Sequence, residues 1–134
     1  MRIQLNRILC ATDFSDLSNR TISFGIALAK TFSARLFVCH IIDLPFAAMN
    51  GEVQLDPIEQ QDRMMAYAQE QLAQLFEKES VDWEPLVSIG HTADEISRIV
   101  DKNRIDLAIS ATHGRSGLKR LLLGSVTERL MRTL

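Results

Sequence analysis

Apolar residues follow two rhythms along this chain. Short, almost unbroken apolar runs occupy residues 7–12, 35–42, 84–89 and 105–110. Unbroken runs of that length suit strands covered on both faces, as in parallel sheets. Between them lie longer segments in which apolar residues recur every three or four positions, the mark of a helix with one face on a sheet. In residues 16–32, Ile22, Ile26 and Ala29 share such a face, with Leu17, Phe24 and Leu28 widening it. Asp13 and Ser15 precede that helix as N-cap candidates. Asp56-Pro57-Ile58-Glu59 opens a second helix, with Asp at the cap, Pro first and Glu third. It is expected to run to about residue 79 on a stripe of Met65, Ala68, Leu72, Leu75 and Phe76. Thr92 and Glu95 have capping-box spacing ahead of Ile96, Ile99 and Val100, and Ser125 and Glu128 repeat it at the head of a last helix. Residues 44–56, with Asn50-Gly51, read as a loop. Pro85 has no N–H to give a ladder, which puts its strand towards a sheet edge.

The resulting order, β-α-β-α-β-α-β-α, predicts an α/β fold: a doubly wound parallel sheet with helices on both faces and right-handed crossovers. Its 134 residues suit one domain, 1–134. Ligands of such sheets bind beyond the carboxyl ends of the strands, where strand order reverses. With strand 1 central and strand 4 beside it, that point falls between Asp13 and residues 111–125.

Composition adds boundaries. Hydrophobic residues make up 46% and charged residues 24%, ordinary for a globular protein. No apolar run approaches the roughly 18 residues of a membrane span, so no membrane partner and a cytoplasmic location are expected. Cys10 and Cys39 sit inside apolar runs and read as buried, reduced side chains, and no spacing suggests a metal site. Net charge is −2, yet residues 111–134 carry Arg115, Lys119, Arg120, Arg129 and Arg132 against Glu128 alone. A local basic segment in an acidic protein fits a small anionic ligand better than a nucleic acid, which needs a broader basic face.

The candidate chemistry lies in that segment. Ala111-Thr112-His113-Gly114 is followed, after nine residues, by Gly124-Ser125. Gly114 and Gly124 would let backbone amides approach an anion, and the helix opened by Ser125 would present free N–H groups to it. The stretch is neither a Walker A loop nor GxGxxG, and no nucleophile elbow is present. Asp13, directly after strand 1, is read as an acceptor for ribose hydroxyls or as a helix cap. It also stands where a response regulator has its phosphoacceptor, but no acidic pair accompanies it and Ser88-Ile89-Gly90 lacks the further Asp. His113 either donates to a phosphate or fills the loop; His40 and His91 are read as structural. No catalytic residue is assigned.

At these residues the chain resembles the universal stress protein family. The resemblance rests on residues 8–15, on Val38-Cys39-His40-Ile41-Ile42-Asp43, and above all on residues 112–126, close to the family's ATP-binding pattern G-x2-G-x9-G-[S/T]. It implies a Rossmann-like sheet of order 3-2-1-4-5 and an adenine nucleotide, ATP or AMP, with Mg2+ bridging the phosphates. Carried over by motif, Gly114, Gly124, Ser125 and Val126 take the phosphates, Asp13 the ribose and Ile41 the adenine. Ala11 and Ala111 lie near sugar and base, and Thr12, Thr112, His113, Arg115 and Thr127 complete the set. Ala111 replaces the pattern's first glycine. If that position needs positive φ, the change costs on the order of 1 kcal/mol and weakens ATP binding. Family members continue into a fifth strand that pairs two subunits. This sequence reaches Leu134 just after the last helix, so the expected order is 3-2-1-4, strand 4 has an uncovered edge, and a homodimer depends on such a strand. ATP hydrolysis, if any, is expected to be slow. The alternative is an interaction or chaperone-like protein of the same fold with a vestigial nucleotide site.

Overall fold

The four apolar runs become parallel strands of one sheet. The computed structural model describes residues 4–43, 57–113 and 119–121. In chain order these form β1 (Arg7–Ala11), α1 (Asp16–Phe32), β2 (Arg35–Asp43), α2 (Pro57–Leu75), β3 (Trp83–Gly90), α3 (Thr92–Lys102), β4 (Leu107–His113) and β5 (Lys119–Leu121). The sheet order is β3-β2-β1-β4-β5. β1 pairs in parallel with β2 and β4, and β2 in parallel with β3, giving the expected 3-2-1-4 core with β3 at one edge. The loop at 44–56, the cap at Asp56 and the helix expected after Ser125 lie outside the described residues.

Alternation along each strand divides the interior into two layers. Ile8, Cys10, Leu36, Val38, Leu107 and Ile109 meet Ile22, Ile26 and Ala29 of α1 and Leu72 of α2. Leu9, Phe37, Cys39 and Ala108 face the other way, onto Ile99 of α3. Sheet residues buried on both faces explain why the runs are unbroken. Phe37 is fully buried, and the guanidinium carbons of Arg7 and Arg35 stand 5.0 and 5.3 Å from its ring centre.

Several local expectations are corrected. Phe24 is 56% exposed rather than part of the α1 face. At about 100° per residue it stands roughly 200° from Ile22, on the far side. α2 ends at Leu75, not near 79, because the backbone bonds tighten: Phe76 N–H reaches Ala73 O, and Glu77 N–H reaches Gln74 O, three residues back. Phe76 is still buried and stacks on Trp83 with ring centres 4.1 Å apart. Thr92 is the first residue of α3 rather than its cap; His91 takes the N-cap and makes no side-chain bond there. The expected capping box fails because Glu95 has better partners: its Oε2 accepts from Ser88 Oγ at 2.5 Å and from Arg98 at 2.8 Å. The Ser88 bond, then that of Arg98, hold the Glu95 carboxyl below its usual value.

Strand 4 also starts and ends later than expected. Asp106 does not join it: its Oδ2 accepts from Asn6 N and Arg7 N at 2.8 and 3.0 Å, clamping the start of β1. At the other end Ala111, Thr112 and His113 are strand residues, not loop, because they pair antiparallel with Leu121, Arg120 and Lys119. This short β5 covers the carboxyl end of the β4 edge that was expected to be bare.

Candidate functional site

β1 is central, and its neighbours β2 and β4 lie on opposite sides, so the reversal of strand order falls beside the carboxyl end of β1. There the chain makes a turn built almost wholly from short polar side chains. Thr12 is 6% exposed, and its N–H continues the ladder to Cys39 O at 2.9 Å. Thr12 Oγ1 accepts from Phe14 N at 2.9 Å. Asp13 Oδ1 accepts from Ser15 N at 2.9 Å and from Ser18 Oγ at 2.6 Å. Ser15, not Asp13, is the N-cap of α1, its Oγ accepting from Ser18 N at 3.2 Å. Asp13 thus stands two residues before the cap, and among the described residues no hydrogen bond to its Oδ2 is seen. Burial pushes the Asp13 carboxyl up, but hydrogen bonds from Ser15 and Ser18 together outweigh it and hold the group below the usual carboxylate value. The result is a charged carboxylate with Oδ1 fixed by two hydrogen bonds, at the place where such sheets take ligands.

The turn borders a cleft of about 520 Å3 at the carboxyl end of β2, walled by α2. Phe14, His40, Ile41 and Asp43 line it from the sheet side, Arg63 and Tyr67 from α2. Its size is in the range of small-ligand pockets, and its walls are mostly apolar. Phe14 has φ 67°, and its ring lies 4.4 Å from that of His40. His40 Nδ1 is 2.9 Å from Thr12 O.

A sequence model of the universal stress protein family matches residues 4–134. The chain belongs to the universal stress protein family. It is similar to universal stress protein MJ0531 of Methanocaldococcus jannaschii, 30% identical over 131 residues that span 94% of this chain and 75% of that protein. It is similar also to universal stress protein MJ0577 of the same organism, 25% identical over 148 residues that span 98% and 91%. Among solved structures, that of MJ0577 superposes with a TM-score of 0.71 at 22% identity, covering 97% of this chain and 90% of that one. A universal stress protein solved in complex with cAMP superposes with a TM-score of 0.56 at 19% identity, covering 97% and 91%. At these identities the superpositions speak for the fold.

Of the nucleotide site expected for a universal stress protein, the described residues make up one end. Ala11, level with Cys39 and Ser110, closes β1, and Thr12 and Asp13 follow it. Ile41 lies in β2 opposite Ser88 and lines the cleft. Ala111, Thr112 and His113 form the end of β4 at the same end of the sheet, beginning one residue beyond its last pair with β1. Ala111 is extended and paired with Leu121, so the positive-φ cost expected of an alanine there does not arise. Gly114, Arg115, Gly124, Ser125, Val126 and Thr127 lie outside the described residues. The sequence reading passed over Phe14 and the α2 wall. A left-handed phenylalanine has no sequence signal, since that conformation ordinarily goes to Gly, Asn or Asp.

Proposed function

We propose that the protein binds an adenine nucleotide, AMP or ATP, across the point where β1, β2 and β4 meet. The observation that carries this reading is Asp13: a charged carboxylate whose Oδ1 is held by Ser15 and Ser18 and whose Oδ2 has no hydrogen-bond partner among the described residues, beside a cleft lined by Ile41. A carboxylate so placed accepts from the two ribose hydroxyls, and the adjoining apolar walls suit a base. A family member in complex with cAMP adds support from ligand chemistry, as does the run of basic residues after Ala111 for the phosphates. Among the described residues no group of three His, Cys, Asp or Glu is placed to hold a metal. In this reading Mg2+ therefore arrives on the phosphates, where it offsets their charge. The phosphates go to the backbone around Gly114, Gly124, Ser125 and Val126. The nucleotide pool sampled is the cytoplasmic one.

Isothermal titration with AMP, ATP and GTP, with and without Mg2+, tests the reading. Adenine nucleotides are expected to bind below millimolar Kd. Asp13→Asn weakens them roughly tenfold, the scale of one charged hydrogen bond, and the penalty vanishes for 2′,3′-dideoxy-ATP. Gly124→Val removes the gain of ATP over adenosine while the thermal melt stays cooperative. No binding of any adenine nucleotide at millimolar concentration overturns it.

A further inference from the structure

Two opposite charges line the cleft beside β2 without meeting. Asp43 closes β2 on the sheet wall, and Arg63 stands on the α2 wall. Among the described residues neither side chain has an ion-pair or hydrogen-bond partner; the bridges that form join other residues. Between these charges the walls are mostly apolar and aromatic. Tyr67 follows Arg63 by one helical turn, so both lie on one face of α2, and its ring is 61% exposed. On the sheet side Phe14 holds the left-handed conformation, which bulky side chains avoid, with Thr12 Oγ1 accepting from its N–H. That conformation sets its ring 4.4 Å from His40, and both rings line the cleft. A space of about 520 Å3 with an anion on one wall, a cation on the other and rings between suits one kind of ligand. It must bring both charges and an apolar body. A ligand with a single charge leaves the other wall unanswered, and a bare base answers neither.

We propose that this cleft binds an α-amino acid with an apolar side chain. The ammonium group donates to the Asp43 carboxylate, the ligand carboxylate accepts from the Arg63 guanidinium, and the side chain lies against Phe14 and Tyr67. This goes beyond the nucleotide reading and does not rest on it: Asp13 and the residues expected at the phosphates take no part.

Isothermal titration of L-phenylalanine, 3-phenylpropionate, which lacks the ammonium, and 2-phenylethylamine, which lacks the carboxylate, onto the protein without nucleotide tests this. L-Phenylalanine should bind with a Kd below about 1 mM, and each one-charge analogue roughly tenfold more weakly or not measurably, the scale of one charge-assisted hydrogen bond. Glycine, a zwitterion without the apolar body, should fare no better than the analogues. Asp43→Asn should cost L-phenylalanine about tenfold and bring it level with phenylpropionate; Arg63→Gln should cost as much and bring it level with phenylethylamine. Both side chains are exposed, so the thermal melts of the variants should match that of the unaltered protein. No binding of L-phenylalanine, L-leucine or L-methionine at about 10 mM overturns the proposal. So do analogues that bind as tightly as L-phenylalanine, or an affinity that survives both substitutions. AMP titrated alone separates the two readings: AMP binding without amino-acid binding removes this one only, and the reverse removes the nucleotide reading only.

Discussion

Asp13 keeps its charge because the Ser15 amide and the Ser18 hydroxyl bond the ionised form. The same bonds tie acid stability to this residue. Its carboxyl is depressed in the folded protein, so the contribution is fully present above the unfolded value of about 3.9 and is lost as pH falls through the lower folded value. Asp13→Asn keeps an acceptor for Ser15 but not the charge. The gap in Tm between protein and variant should hold from neutral pH to about pH 5 and close below about pH 4. A gap unchanged at pH 2.5 would show that the charge is not what matters. That an acidic residue follows strand 1 was legible in the sequence, together with its choice between cap and ligand. The choice itself was made by Ser15, whose hydroxyl takes the cap and so releases Asp13.

At the scale of elements, α1 lies so close to β1 that a glycine is needed between them. A Cβ on Gly25 would fall well inside the van der Waals contact distance to Cys10 Sγ. Glycine costs a helix about 1 kcal/mol relative to alanine, but forcing a methyl into a packed layer costs about 1–3 kcal/mol. Gly25→Ala should therefore destabilise despite its better helix propensity. Cys10→Ala removes the clashing sulfur, so in a denaturation cycle the double variant should be more stable than the two single changes predict, by about 1 kcal/mol or more. Strict additivity would refute the close approach. The sequence marked α1 correctly through Ile22, Ile26 and Ala29, yet counted Phe24 with them. The difference is one of angle on the helix, which the buried partners decide. β4 makes the same point: Thr112 and His113 look like loop residues beside Gly114, and only the pairing with Arg120 and Lys119 makes them strand.

The whole molecule is two interior layers back to back across a sheet, and the cysteines report on it. Cys10 and Cys39 come from neighbouring strands but enter opposite layers, so they do not pair; both are free and buried. Burial, and for Cys10 the nearby Cys39 as well, pushes each thiol up to about 12. A thiol reagent at pH 8 should find no reactive group in the folded protein and two after denaturation, at a rate that follows global unfolding. Fast labelling of one thiol in the folded state would mean that a layer opens locally. Among the described residues no helix is long and apolar enough to cross a membrane.

The alternation of unbroken apolar runs with helical stripes was enough to define a parallel α/β sheet, because each strand must be apolar on both sides to lie between two helix layers. The carboxyl-end position of Asp13 followed from the same order of elements. Periodicity records what a residue needs from its own element and is silent about partners far along the chain. So the end of β4, the transfer of Glu95 from its helix cap to Ser88 and Arg98, and the meeting of Phe14 with His40 were decided only in the folded protein. Each is a competition between a local hydrogen bond or rotamer and a contact brought in from another element, and the distant contact won.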